Sequence, residues 1–161
     1  MVIGQIQETQ GAPAGTDPLS HYIEVVANKT GSLIATSARF GALLSGADKA
    51  TVETLTTFGE KIGIAFQLAD DVIDIASDSS QSGKTPGTDL KEGVPTLVTL
   101  RIMNSNKPED AELKKLLSAP MDDATVAKVI PQLRQHSALE ESKKYLHDLA
   151  NEAKQLLDRK S

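Results

Sequence analysis

The chain of 161 residues contains no cysteine and no tryptophan, and aromatic residues make up only 3% of it. Without cysteine there is no disulfide bond and no thiolate metal site, so we expect a reducing, cytoplasmic environment. Acidic residues outnumber basic ones by 22 to 17, for a formal net charge of −5. A general nucleic-acid surface is therefore not expected. No apolar run approaches the roughly 20 residues of a membrane span.

The main pattern in the sequence is the recurrence of apolar residues at helical spacing. They predict a long helix over 18–44 and a second over 48–75, and Asp17 is placed to cap the first of these. A polar loop is predicted over 77–93. Shorter helices follow it, and an amphipathic helix over 137–159 comes last. No period-two alternation and no internal repeat are present, so the sequence predicts an all-α fold.

The most unusual stretch is 66–74, Phe-Gln-Leu-Ala-Asp-Asp-Val-Ile-Asp, which places three carboxylates in an otherwise apolar segment. On a helix Asp70 and Asp74 lie one turn apart on one face, and Asp71 lies beside Asp70. Buried unpaired carboxylates cost several kcal/mol each, so we expect a cation to compensate them. Oxygen ligands alone favour a hard cation such as Mg²⁺. A solvated acidic patch is the alternative that the pattern leaves open.

Two lysines lie where they could meet an anion. Lys84 follows Gly83 in the loop after the acidic helix, where a lysine can reach phosphate oxygens. The sequence Gly83-Lys84-Thr85 is not a P-loop, because the required earlier glycine and preceding strand are missing. Lys29, next to Thr30, lies in the first long helix. Lys29 is either an ordinary surface lysine or a cation directed at the same cavity as the aspartates.

Together these motifs resemble the C-terminal half of the trans-isoprenyl (polyprenyl) diphosphate synthases. The resemblance covers about residues 1–100, in family order and spacing, and residues 101–161 fit the variable C-terminal helices of the family. It implies one partial domain over 1–161, a helical bundle of the isoprenoid synthase type whose first half is absent. The matching pieces are Gly4-Gln5, Tyr22, Lys29-Thr30, the stretch 66–74, Gly83-Lys84, and the segments 87–90 and 93–97.

The resemblance implies a prenyltransferase that condenses isopentenyl diphosphate with an allylic diphosphate. In that family Mg²⁺ bridges the diphosphate of the allylic substrate. Asp70 is then the expected metal ligand. Asp71 and Asp74 are expected to bind the metal through water or to orient the site.

The same resemblance implies roles for the remaining motif residues. Lys29 and Lys84 are expected to hold diphosphate oxygens. Thr30 and Gln67 are expected near the reacting double bond. Phe66 is expected to face the substrate or the cation that develops from it.

Parts of the family pattern are missing from this chain. The first aspartate-rich motif and the basic Gly-Gly-Lys-x-x-Arg segment are absent, and Val94 stands where many members have another lysine. We therefore expect little or no turnover from the chain alone. The alternative function is a non-catalytic partner subunit of a heteromeric synthase or a degenerate helical binding protein. Half a bundle exposes apolar helix faces, so a homodimer or association with a catalytic homologue is expected.

Overall fold

A computed structural model describes residues 2–77 and 86–158, and every element in those ranges is helical. The all-α prediction is therefore confirmed. Within the same ranges, no helix combines the length and the apolar character needed to cross a membrane. The elements in chain order are α1 Val2–Gln10, α2 Pro18–Val26, a π-helical turn Ala27–Gly31, α3 Ser32–Leu44, α4 Lys49–Ala76, α5 Thr88–Glu92, α6 Leu97–Asn104, a 3-10 turn Pro108–Asp110, α7 Ala111–Leu117, α8 Asp123–Gln135 and α9 Ser137–Asp158.

The helices begin where local chemistry indicates that they should. Asp17 caps α2 by accepting a hydrogen bond from the backbone N–H of Ser20 at 2.8 Å. Asp48 does the same for α4 through the N–H of Thr51, also at 2.8 Å. Each carboxylate accepts a hydrogen bond from an N–H group that has no acceptor within the helix. Pro131 lies inside α8 without ending that helix.

Two segments differ from the sequence-based expectation. The helix predicted over 18–44 is interrupted by the π-helical turn Ala27–Gly31, a rare feature that is often found at functional sites. The loop predicted over 77–93 contains the short helix α5. Five residues are too few to show helical periodicity. The stability of α5 comes instead from tertiary contacts, including the burial of Leu90.

The described helices form two compact units, which we call the terminal unit (residues 1–67 and 145–161) and the middle unit (68–144). Helix α4 contributes its residues 49–67 to the terminal unit and its last turns to the middle unit. The assignment of residues 1–161 to one partial domain, with the motif-bearing helices over 1–100 and the C-terminal helices over 101–161, stays a prediction.

Glycines in the terminal unit let helices approach one another backbone to backbone. A Cβ atom on Gly63 of α4 would lie 2.8 Å from the Cα of Gly31 and 3.0 Å from the carbonyl oxygen of Thr30. A Cβ atom on Gly4 of α1 would lie 2.6 Å from the backbone nitrogen of Lys29. The π-helical turn is therefore packed directly against both α1 and α4.

The middle unit has a conventional apolar core. It is built from the last turns of α4 together with residues of α5 to α9, and it fixes where the acidic end of α4 lies within this unit. Its buried members are Val72, Ile75, Leu90, Val98, Ile102, Leu113, Val126, Val129, Ile130, Leu133, Ala138 and Leu139.

Candidate functional site

Thr30 and Gln67 are brought together in the terminal unit. The hydroxyl of Thr30 donates a hydrogen bond to the side-chain oxygen of Gln67 at 3.2 Å, and both side chains are partly buried. The two residues are 37 positions apart. The close backbone contact between the π-helical turn and α4 makes this bond possible. Two residues singled out for the reacting end of a substrate are thus neighbours in space.

Lys29 forms an ion pair with Glu8 of α1. The ammonium nitrogen lies 2.8 Å from one carboxylate oxygen and 3.1 Å from the other. The amide nitrogen of Gln5 donates to the same carboxylate at 2.9 Å. The side chains of Lys29 and Glu8 are 38% and 35% exposed, so the pair is open to solvent.

Glu8 was not among the residues selected from the sequence, although a signal was available. Gln5 and Glu8 are three positions apart and therefore lie on the same side of a helix. They also follow Gly4, and Gly4-Gln5 is one of the pieces that match the family. Carboxylates are common on helix surfaces, and nothing local indicated that this one meets a lysine 21 positions further on.

Asp74 anchors the start of α5. One carboxylate oxygen accepts a hydrogen bond from the N–H of Thr88 at 3.2 Å, and the other accepts from the N–H of Asp89 at 3.3 Å. These are the first two residues of α5, whose N–H groups have no intrahelical partner. The carbonyl of Asp74 also accepts from the N–H of Gly87 at 3.1 Å. A carboxylate is stabilised at this position by the positive end of the helix.

Asp71 has the same relationship to α6. Asp71 is 4% exposed, and its carboxylate accepts a hydrogen bond from the N–H of Leu97, the first residue of α6, at 3.2 Å. The sequence predicted that a cation compensates the buried aspartates. Backbone N–H groups provide part of that compensation for Asp71 and Asp74. Composition and spacing could not reveal this, because the donors belong to the main chain of later helices.

Asp70 is the most accessible of the three aspartates. It is partly buried, whereas Asp71 and Asp74 are buried, and Ile73 nearby is 45% exposed. In ranges 2–77 and 86–158, no three carboxylate or imidazole side chains converge closely enough to hold a metal by themselves. Mg²⁺ is usually bound through one or two carboxylates, with waters and substrate phosphates completing its coordination. A carboxylate placed as Asp70 is placed fits that mode of binding.

Phe66 and Lys84 complete the predicted set. Phe66 belongs to the terminal unit and is 67% exposed, which is unusual for a large apolar side chain next to a partly buried glutamine. Its role toward a substrate stays a prediction. Lys84 lies outside the described residues.

Arg134 of α8 is a further residue that the sequence did not indicate. Its guanidinium donates to the carbonyl oxygen of Ile75 at 2.9 Å and to that of Ser77 at 2.8 Å. These carbonyls lie at the C-terminal end of α4, where positive charge is favourable. Arg134 therefore fixes the end of the helix that carries the aspartates.

Comparison with known proteins gives a consistent result. The polyprenyl synthetase family model matches residues 1–133. The nonaprenyl diphosphate synthase of Mycobacterium tuberculosis is 43% identical over 155 residues, which cover 96% of this chain and 46% of that protein. Component 2 of the heptaprenyl diphosphate synthase of Geobacillus stearothermophilus is 32% identical, with coverage of 96% and 48%. The chain thus spans about half the length of the curated relatives it matches.

Solved structures agree with these sequence matches. The geranylgeranyl pyrophosphate synthase of Corynebacterium glutamicum, complexed with calcium and isoprenyl diphosphate, superposes with a TM-score of 0.87 at 40% identity, over 98% of this chain and 49% of that one. The polyprenyl synthase of Caulobacter crescentus, complexed with the same two ligands, gives 0.82 at 27% identity, with coverage of 98% and 49%. The fold is that of the isoprenyl synthase helical bundle, of which this chain provides about half. The chain belongs to the polyprenyl synthetase family.

Proposed function

We propose that this chain forms the part of a polyprenyl diphosphate synthase that carries the second aspartate-rich motif. The enzyme condenses isopentenyl diphosphate with an allylic diphosphate to give a longer polyprenyl diphosphate. The Thr30–Gln67 hydrogen bond carries the proposal, because it joins two family motifs that lie 37 positions apart in the sequence. The prenyl synthases among the relatives support the same class of reaction. The cysteine-free composition supports a cytoplasmic location.

Lys29 and Lys84 hold the diphosphate oxygens in this proposal. Their positive charges stabilise the diphosphate as it leaves and takes up negative charge. Thr30 and Gln67, which are already hydrogen-bonded to each other, orient the reacting double bond. Phe66 offers an exposed ring to the substrate, and an aromatic face attracts a nearby cation.

Asp70 is the proposed ligand for a divalent metal, which we expect to be Mg²⁺. Its accessibility and the oxygen-only chemistry of the motif support this assignment, as does calcium in two related structures. When bound, such a metal neutralises diphosphate charge and favours departure of the leaving group. Asp71 and Asp74 act on Asp70 indirectly, because they tie the end of α4 to α6 and α5.

The proposal is tested by measuring the incorporation of radiolabelled isopentenyl diphosphate by the full product of the gene. We expect Mg²⁺-dependent elongation that Asp70→Asn lowers by roughly 100-fold, since one group that stabilises developing charge is lost. Asp123→Asn is the matched control, because Asp123 is a surface aspartate of the middle unit with an 89% exposed side chain. It is expected to keep wild-type activity. Unchanged activity in the Asp70 variant would contradict the assignment.

A second candidate function, as a partner subunit, is favoured by the outer face of α3. Leu33, Phe40 and Leu44 lie on one side of that helix and are 50%, 58% and 89% exposed. An exposed helix face normally carries charge, and an uncharged one is typical of a packing surface. One relative is named as a component of a synthase. The positions between the three apolar side chains are Thr36, Ser37 and Gly41, all exposed and uncharged.

Size-exclusion chromatography with light scattering tests this second candidate. We expect the chain to form a homodimer or to bind a catalytic homologue, and Phe40→Glu to weaken either association. Thr57→Glu on α4 places the same charge at another exposed position of the terminal unit and is expected to leave association unchanged. A wild-type chain that remains a monomer alone and with the homologue contradicts a partner role.

A further inference from the structure

The ion pair between Glu8 and Lys29 occupies the lysine that the proposed function assigns to diphosphate. Both carboxylate oxygens of Glu8 contact the ammonium group, and the amide of Gln5 donates to Oε2, the nearer of the two oxygens. An ammonium group has three N–H donors, and in this arrangement Glu8 engages the group with two oxygens. A phosphate oxygen can approach from solvent, because the lysine side chain is 38% exposed.

We infer that Glu8 is the resident counter-ion of Lys29, and that a diphosphate competes with it for the ammonium group. The inference rests on the proposed function, which places a diphosphate at Lys29. A diphosphate carries more negative charge than a carboxylate and therefore competes well for the ammonium group. Glu8 is then a positioning residue that sets how tightly Lys29 holds the ligand.

The backbone around Lys29 limits how this exchange occurs. The backbone nitrogen of Lys29 lies directly against Gly4 of α1, where there is no room for a Cβ atom. The neighbouring Asn28 donates a hydrogen bond to the side-chain oxygen of Gln7 at 2.9 Å. Because α1 and the π-helical turn are joined at these points, the side chain of Lys29 moves between its two partners while its backbone stays in place. Once displaced, the carboxylate of Glu8 remains close to the bound phosphate and repels it.

Removal of the charge on Glu8 is therefore expected to strengthen diphosphate binding. A purely structural role for Glu8 predicts the opposite, since loss of the ion pair would loosen Lys29 and weaken binding. Exposed ion pairs contribute little to stability, so we expect the gain in affinity to be modest, about threefold to fivefold.

Isothermal titration of the full chain with inorganic diphosphate, without divalent metal, tests the inference. Glu8→Gln is expected to lower the dissociation constant by about threefold to fivefold. Glu8→Asp keeps the charge on a shorter side chain and is expected to fall between Glu8→Gln and wild type. Lys29→Ala is expected to lose most of the binding.

Glu53→Gln provides the control for net charge. Glu53 is an exposed carboxylate of the terminal unit that pairs with Lys49 at 3.7 Å, so this variant changes the charge of the same unit without touching Lys29. We expect its dissociation constant to match that of wild type. An equal gain in Glu53→Gln and Glu8→Gln overturns the inference, because the effect would then follow from charge alone.

The remaining outcomes separate this inference from the proposed function. If binding depends on Lys29 but Glu8→Gln binds no more tightly than wild type, the inference fails and the proposed function stands. If the wild type does not bind diphosphate, or binds it no more tightly than Lys29→Ala does, both the inference and the proposed function fail.

Discussion

Gly31 and Gly63 face each other so closely that a Cβ atom on Gly63 would lie 2.8 Å from the Cα of Gly31. This contact sets the distance between the π-helical turn and α4. Thr30, next to Gly31, and Gln67, one turn after Gly63, are in consequence within hydrogen-bonding distance. The geometry of this polar pair is therefore a result of backbone packing.

Gly63→Ala tests the importance of that packing. The added methyl group forces the π-helical turn and α4 apart, and overpacking of this kind typically costs about 1–3 kcal/mol of unfolding free energy. Gly41→Ala is the matched control, because the Cβ it would add meets no atom within 4 Å apart from the neighbouring residues and the nearby backbone of its own helix. That change is expected to stabilise the chain by about 0.5–1 kcal/mol, as alanine favours a helix over glycine. Urea denaturation measures both variants, and equal effects would contradict the interpretation.

Thr30→Val removes the hydroxyl that donates to Gln67 and keeps the shape of the side chain. We expect it to lower the unfolding free energy by about 1 kcal/mol, the usual contribution of one hydrogen bond. Thr30→Ser keeps the hydroxyl and is expected to retain most of that stability. In the elongation assay on the gene's full product, we expect Thr30→Ser to retain more activity than Thr30→Val. A valine variant as stable and as active as the serine variant would show that the bond has no role.

Asp74 is expected to matter for stability more than its place in an acidic motif suggests. Asp74→Ala removes the acceptor for two backbone N–H groups at the start of α5, and hydrogen bonds to charged groups contribute about 1.5–3 kcal/mol each. We expect a loss of about 2–4 kcal/mol in unfolding free energy. Asp74→Asn keeps one acceptor oxygen and is expected to lose less. Urea denaturation without metal distinguishes this anchoring role from metal binding. If Asp74 served only to bind metal, its substitution would leave the unfolding free energy unchanged under those conditions.

Elements that depend on local chemistry could be predicted from the sequence. The cap at Asp17, the 28-residue length of α4 and the all-α class were all predicted, because each follows from neighbouring residues or from regular spacing. The π-helical turn could not be predicted in this way. It depends on α1 and α4 packing against the same segment from elsewhere in the chain.

The candidate site was also predictable only in part. The choice of Thr30 with Gln67 came from family motifs, and the structure shows them in contact. The partners of Asp74 and Lys29 were missed for a physical reason. Asp74 is satisfied by main-chain N–H groups, which every residue except proline possesses, and Lys29 meets one surface carboxylate among many.

Asp110 and His136 form a buried polar contact that predicts how stability depends on pH. The carboxylate is 2% exposed and lies 2.9 Å from the Nε2 atom of His136. The other ring nitrogen, Nδ1, accepts a hydrogen bond from the N–H of Ala138 at 3.0 Å. In the neutral ring the proton is therefore assigned to Nε2, which donates it to Asp110. This hydrogen bond, followed by one from the hydroxyl of Ser105, holds the pKa of Asp110 below its ordinary value.

A lowered pKa means that the folded chain binds this proton more weakly than the unfolded chain does. Asp110 therefore contributes stability fully above the unfolded-state pKa of about 3.9, and that contribution is lost as the pH falls through the lower folded-state value. We expect Asp110→Asn to be less stable than wild type at pH 7, with the difference shrinking steadily between about pH 5 and pH 3. Urea denaturation at several pH values measures this difference. A difference that stays constant down to pH 3 would show that Asp110 acts by shape and not by charge.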